Sequence, residues 1–191
     1  MTAQELKNSI LQLAIQGKLV EQRAEEGTTE QLYHQIQEEK ARLITEGKIK
    51  KDKPLPAITE DEIPFDIPEN WKWVRIMDIL QIINGDRGKN YPSKDKLTDT
   101  GIPFISAVNI DNQTISKEKL LCMTEEQYEK LGSGKLILGD LVLCIRGSLG
   151  KNGRYPFEKG AIASSLVILR SYIESDIFYD FITTYINSGL F

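Results

Sequence analysis

The sequence predicts an α+β protein: an N-terminal helical pair followed by a mixed strand-and-helix domain. Three observations carry this. Apolar residues recur at helical spacing over residues 1–47, with cap residues in place. Pro54, Pro56, Pro64 and Pro68 crowd the stretch 48–70 and break regular structure there. From Trp71 onward, apolar runs of strand length alternate with glycine-rich polar loops. The expected segments are therefore 1–47, 48–70 and 71–191.

Leu6, Ile10, Leu13, Ala14 and Gly17 fall on one face of a first helix, extended by Val20. Thr2 and Glu5 have the spacing of a capping box, in which two orphan backbone N–H groups are satisfied reciprocally. A second helix is expected after Thr28, with Gln31 as reciprocal partner and Gly47 as the residue past its end. Its apolar stripe is Leu32, Ile36, Leu43 and Ile44, and Glu25-Glu26-Gly27 is read as the intervening turn. A narrow stripe with a charged outside suits packing against another helix, in the same chain or a partner. Lys48, Lys50, Lys51 and Lys53 open the connector; contact with phosphates is one reading of this run, and a solvated linker is the one preferred.

Residues 71–76 alternate as a strand would, and residues 79–83 form an apolar run. Residues 84–89 are a polar loop. Residues 102–105 and 108–110 read as strand, with a turn at Asp111-Asn112. Glu125 to Leu131 is a short helix closed by Gly132. Residues 141–145 are a buried strand, and 147–153 a second glycine-rich loop. Residues 162–169 are expected as one strand. A final helix spans about 175–188, with Phe178, Phe181, Ile182, Tyr185 and Ile186 inward and Gly189 at its end.

Composition narrows the function. Hydrophobic content of 40% and charged content of 27% over 191 residues suit a globular protein with a core of its own. No apolar run is of bilayer length, and no secretory pattern opens the chain. Cys122 and Cys144 lie in apolar runs and make no metal-ligand spacing with His34, so a reduced, cytoplasmic protein without a metal is expected. The net charge is −4. Residues 1–62 hold 9 basic and 12 acidic residues, a balance of −3, which leaves −1 for the remainder. Total charge does not exclude a local basic patch.

Enzyme motifs fail on spacing. Gly150-Lys151 is followed by Asn152 and Gly134-Lys135 by Leu136, so neither makes a phosphate-wrapping loop. One histidine excludes most His-based triads and zinc hydrolase sites. No two prolines are adjacent, as an adenine methyltransferase motif requires. Glu38-Glu39-Lys40 lacks the upstream acid of a nuclease. No cofactor is expected in this chain.

Ile67-Pro68-Glu69-Asn70-Trp71-Lys72-Trp73-Val74 resembles the entry to a target-recognition domain in specificity subunits of Type I restriction-modification systems. Four further stretches are similar to that family in order: 11–20, 101–110, 139–151 and 162–170. The resemblance implies a non-catalytic subunit that reads one half of a bipartite double-stranded DNA target. It implies helices that dock methylation subunits, with a restriction subunit joining the assembly. S-adenosylmethionine, ATP and Mg²⁺ would serve those partners. Against the family pattern, the recognition domain reads as incomplete at its C-terminal end, and self-association through an uncovered helix face is an expectation.

The glycine-rich loops offer the residue types that such reading needs, since Arg pairs guanine and Asn or Gln pairs adenine. The first offers Arg87, Lys89, Asn90, Tyr91, Ser93 and Lys94. The second offers Arg146, Ser148, Lys151, Asn152 and Arg154. Asp86 either holds Arg87 or repels DNA; ordinary solvated loops are the alternative. Leu6, Ile10, Leu13, Leu32, Ile36 and Leu43 are the candidate partner-binding positions, with mutual packing as the alternative. A protein that docks or blocks methylation subunits without reading DNA is the second functional reading.

Overall fold

The structure, a computed structural model, describes residues 1–23, 25, 27–118 and 120–190. The chain combines five helices with ten strands among those residues and divides into two compact units. The first comprises residues 1–80 and 171–190, and the second 81–170. This division differs from the one that composition draws: the last helix joins the N-terminal helices, and 81–170 form an insertion.

In the first unit, α1 (Ala3–Ile15) and α2 (Thr29–Thr45) start where their cap residues place them. Thr2 and Glu5 close one capping box, Thr28 and Gln31 the other. Gly47 ends α2 in the left-handed region at φ 69°. Gly17 does not sit on a helix face but follows the end of α1 at φ 66°, where a Cβ would meet Pro68 Cγ at 2.5 Å. Of the turn at 25–27, Glu26 lies outside the described residues. The two helices pack chiefly on later elements: α1 on α5 (Asp176–Asn187), and α2 on the short α3 (Ile76–Ile79). Gln37 Nε2 and Lys40 Nζ of α2 donate to the carbonyls of Asp78 and Met77, both at 2.8 Å. The core of this unit holds Ile15, Ile36, Leu80, Phe178, Tyr179, Ile182 and Ile186. Phe181, expected inward, is exposed, with its ring edge-on to Trp71.

The connector is fixed by contacts, not solvated throughout. Arg75 forks onto Glu62 at 2.6 and 2.7 Å, Phe65 packs edge-on to Trp73, and Thr29 Oγ1 donates to Asn70 O. Residues 71–75 are extended but lie in no sheet. Their alternation is real, yet it sends Trp71 and Trp73 to separate aromatic partners instead of pairing a neighbouring strand.

The second unit holds two sheets. One has six strands in the order β1 (Leu80–Asn84), β10 (Leu166–Ser171), β7 (Leu141–Cys144), β8 (Asn152–Arg154), β4 (Thr114–Ile115), β3 (Ile110–Asp111). The other has four: β5 (Leu121–Met123), β2 (Ile102–Ile105), β9 (Lys159–Ile162), β6 (Lys135–Ile137). The apolar run 162–169 is not one strand. It crosses between sheets at residues 163–165, where Ala163 N–H donates to Ile105 O while Ile145 N–H donates to Ser165 O. Ile105, Leu136, Val142, Ile162, Leu166 and Ile168 fill the main core, and Phe104, Met123, Tyr128 and Leu131 a second cluster. Helix α4 (Glu125–Lys130) is capped by Thr124 and Gln127.

Asp140 is 1% exposed and takes both Arg170 Nε (2.8 Å) and Nη2 (2.7 Å), plus the Ile137 N–H (2.9 Å). A buried carboxylate is tolerated only when paired in this way.

Candidate nucleic-acid interface

Sheet register brings the candidate loops to one end of the six-stranded sheet. β7 and β8 are antiparallel, with Leu143 opposite Asn152, so residues 145–151 form the loop at that end. β10 is antiparallel to β7 with Leu166 opposite Cys144, which puts the 163–165 crossover at the same end. β1 delivers the first loop there too. Gly85 lies so close to the crossover that a Cβ would meet Ala163 O at 2.7 Å, and Arg87 Nη2 donates to Ser164 O at 3.3 Å. Both loops are thus anchored on residues 163–165.

Asp86 neither holds Arg87 nor stands free toward a ligand. Its Oδ1 accepts the Gly88 N–H and its Oδ2 the Gly132 N–H at 2.7 Å, which ties the loop backbone to the end of α4. Asn90 Nδ2 donates to Lys130 O at 2.7 Å. Tyr91 is half-buried against Phe104, an anchor more than a reader. The Ser93 hydroxyl lies beside Asp95 and helps to hold that carboxyl below its ordinary range. Arg87, Lys89 and Lys94 remain exposed.

In the second loop Arg146, Ser148 and Lys151 are exposed. Gly147 and Gly150 both take φ 79°, and the loop closes on itself through Gly150 N–H to Cys144 O. Lys151 Nζ donates to Ile110 O at 3.3 Å. Asn152 and Arg154 do not belong with them. Asn152 is 2% exposed inside β8, with Nδ2 on Gly150 O. Arg154 is at the far end of the β7–β8 hairpin, with Nε on Gly139 O. Both are chosen by residue type near a glycine loop, and the strand starts two residues earlier than that pattern suggests.

Two sets of cations in this unit contrast. Lys130, Lys135, Lys159 and Arg170 pair with Glu126, Glu129, Glu125 and Asp140. Arg87, Lys89, Lys94, Arg146 and Lys151 make no ion pair with a carboxylate among the described residues. Around the 163–165 crossover the charge of Arg87, Lys89, Arg146 and Lys151 is therefore uncompensated, which suits a polyanion.

One feature at this end escapes sequence reasoning. The turn at Asp111-Asn112 belongs to a β3–β4 hairpin whose tip is Asn112-Gln113, at φ 46° and 64°. β4 runs parallel to β8 with Thr114 level with Arg154, so the tip faces the second loop's end of the sheet. Strands of two residues are too short for a periodicity signal.

The candidate partner positions also separate. Leu6, Ile10 and Leu13 are 46%, 44% and 42% exposed, and Leu32 is exposed as well. Leu43 is half-buried. Ile36 is 1% exposed, so it is core and has no surface for a partner. Among the described residues no group of three or more His, Cys, Asp or Glu could hold a metal, and no helix is long and apolar enough to cross a membrane.

No family model matches the chain. It is 43% identical over 140 residues to the Type I restriction enzyme EcoAI specificity subunit of Escherichia coli, covering 73% of this chain and 23% of that protein. It is 38% identical over 134 residues to the Escherichia coli EcoEI specificity subunit, covering 65% and 22%. The chain thus spans about a quarter of the length of these relatives. Among solved structures, the HsdS subunit from Thermoanaerobacter tengcongensis matches with a TM-score of 0.50 at 17% identity. A chain from a structure of complex assembly and conformational transition of the type I R-M system matches at 0.51 and 16%. Both matches cover 97% of this chain and 40% of the other, and show a shared fold.

Proposed function

Since the chain belongs to the family of Type I restriction enzyme specificity subunits, we propose that it reads one half of a bipartite DNA target and docks methylation subunits. The observation that carries this is the set of unpaired cations on two loops anchored to one crossover. Phosphate contacts from such loops fix register, and side chains between them reach base edges in the major groove. Arg87 and Arg146 have the fork geometry for guanine; Lys89, Lys94 and Lys151 suit phosphates. Residues 145–151 contain two cations and no carboxylate, which keeps the approach free of local repulsion. The chain contributes no catalytic step: methyl transfer, and any cleavage, belong to cytoplasmic partner subunits.

The test is DNA binding by this chain assembled with the methylation subunit of its own system, measured against salt. Affinity should fall steeply, since each neutralised phosphate contributes about −0.9 to the slope of log K against log salt. Lys89→Ala and Lys151→Ala should each flatten that slope by about one unit. A complex with no salt dependence would remove this reading.

A second reading is supported by α1. Leu6, Ile10 and Leu13 form an exposed apolar row one and two turns apart. A chain that docks or blocks methylation subunits without reading DNA would need that row and not the loops.

A further inference from the structure

We propose that Gln113 is a specificity-determining residue that reads the edge of an adenine. This deepens, and rests on, the DNA-reading function above. The β3–β4 hairpin closes through two residues that are both left-handed, Asn112 at φ 46° and Gln113 at φ 64°. Such turns take Asn-Gly, because Asn tolerates the left-handed region and Gly is at ease in it. Asn112 fits that rule, with Nδ2 on Asp111 Oδ2 at 3.1 Å. Gln113 does not fit it. A long side chain stands where the backbone asks for none, so its presence is not explained by the turn. Residues held against local preference gather at functional sites.

Its surroundings say what it can do there. Gln113 is exposed, and among the described residues its amide makes no side-chain hydrogen bond. The tip immediately precedes Thr114, which is level with Arg154 of β8, and so lies on the side of the loop that carries Arg146 and Lys151. The hairpin is held in place on that side. Gly153 allows the Thr114 backbone so close that a Cβ would lie 2.9 Å from its carbonyl carbon, and Lys151 Nζ bonds Ile110 O. A rigid tip presenting a free carboxamide beside unpaired cations matches the donor–acceptor pair of adenine, N6–H and N7. A carboxamide of this kind is the major-groove partner of adenine and of no other base in bidentate form.

The experiment uses the full chain assembled with its methylation subunit and a pool of duplexes with a randomised segment. Enriched sequences define the half-target, and each adenine in it is then replaced singly by 7-deazaadenine, which lacks only the N7 acceptor. One position is expected to cost about tenfold in affinity with the wild-type chain and less than about twofold with Gln113→Gly. Gln113→Gly gives the turn its preferred residue, so its melting temperature should hold or rise while selectivity at that position is lost. Gln113→Glu should move the preference there toward cytosine, whose N4 donates. If Gln113→Gly keeps wild-type selectivity at every position, the inference is overturned and the DNA-reading function stands. If the wild-type complex enriches no sequence, the DNA-reading function itself falls and takes this inference with it.

Discussion

Arg42, Lys72 and Arg75 in the first unit each lie against a carboxylate, whereas Arg87, Lys89, Lys94, Arg146 and Lys151 in the second face none among the described residues. Apolar side chains are distributed the other way. The first unit leaves Leu6, Ile10 and Leu13 in water, while the second collects most of its aliphatics into two buried clusters. A helix surface with half-bare apolar side chains is suited to another protein. A sheet end with uncompensated cations on glycine-rich loops is suited to phosphate. One chain thus offers two chemically different surfaces, and the contrast explains why its overall acidity is a poor guide to either.

The largest effect should come from Asp140, whose buried pairing with Arg170 fixes the end of β7. Asp140→Ala should destabilise the protein by about 3–5 kcal/mol, because it strands a guanidinium without its carboxylate. Urea unfolding measures this, and a loss under about 1 kcal/mol would show that the second unit does not depend on the pair. Next come the two kinds of helix residue. Ile36→Ala should cost about 2–4 kcal/mol as a core truncation. Changing Leu6, Ile10 and Leu13 together to Gln should alter stability by less than about 1 kcal/mol, yet weaken capture of the methylation subunit at least tenfold. If the triple variant instead unfolds, that row is core and the contrast between the units collapses. The smallest effect concerns Glu62, whose carboxyl the Arg75 guanidinium holds at about 2. A depressed carboxyl contributes stability above its unfolded value near 4.5 and loses it as pH falls toward 2. An NMR titration should show the midpoint return toward 4.5 in Arg75→Met.

The helices were legible because their signals are local. Thr28, Gln31 and Gly47 state where α2 begins and ends within a few residues of chain, and Ser175 and Gly189 do the same for α5. The strands were less so, since alternation reports only an extended backbone. At 71–75 it marks two tryptophans with different partners and no sheet. At 162–169 apolar continuity conceals a passage between sheets, because both halves are buried. The candidate site shows the same limit. Choosing Arg, Lys and Asn near glycines found the exposed cations, but it also selected Asn152, which β8 buries. It passed over Gln113, whose importance appears only once its left-handed backbone and its level beside β8 are known.

The packing of α1 on α5 also has a consequence in time. Once made, α1 finds its main partner at residues 176–187, synthesised some 160 residues later. At about 5–20 residues per second, that is roughly ten to thirty seconds of synthesis. Throughout that interval residues 81–170 are being made, while the apolar side of α1 waits. During synthesis α1 is therefore open to a chaperone, or to the helix of a neighbouring nascent chain, before it is open to its own C-terminal segment.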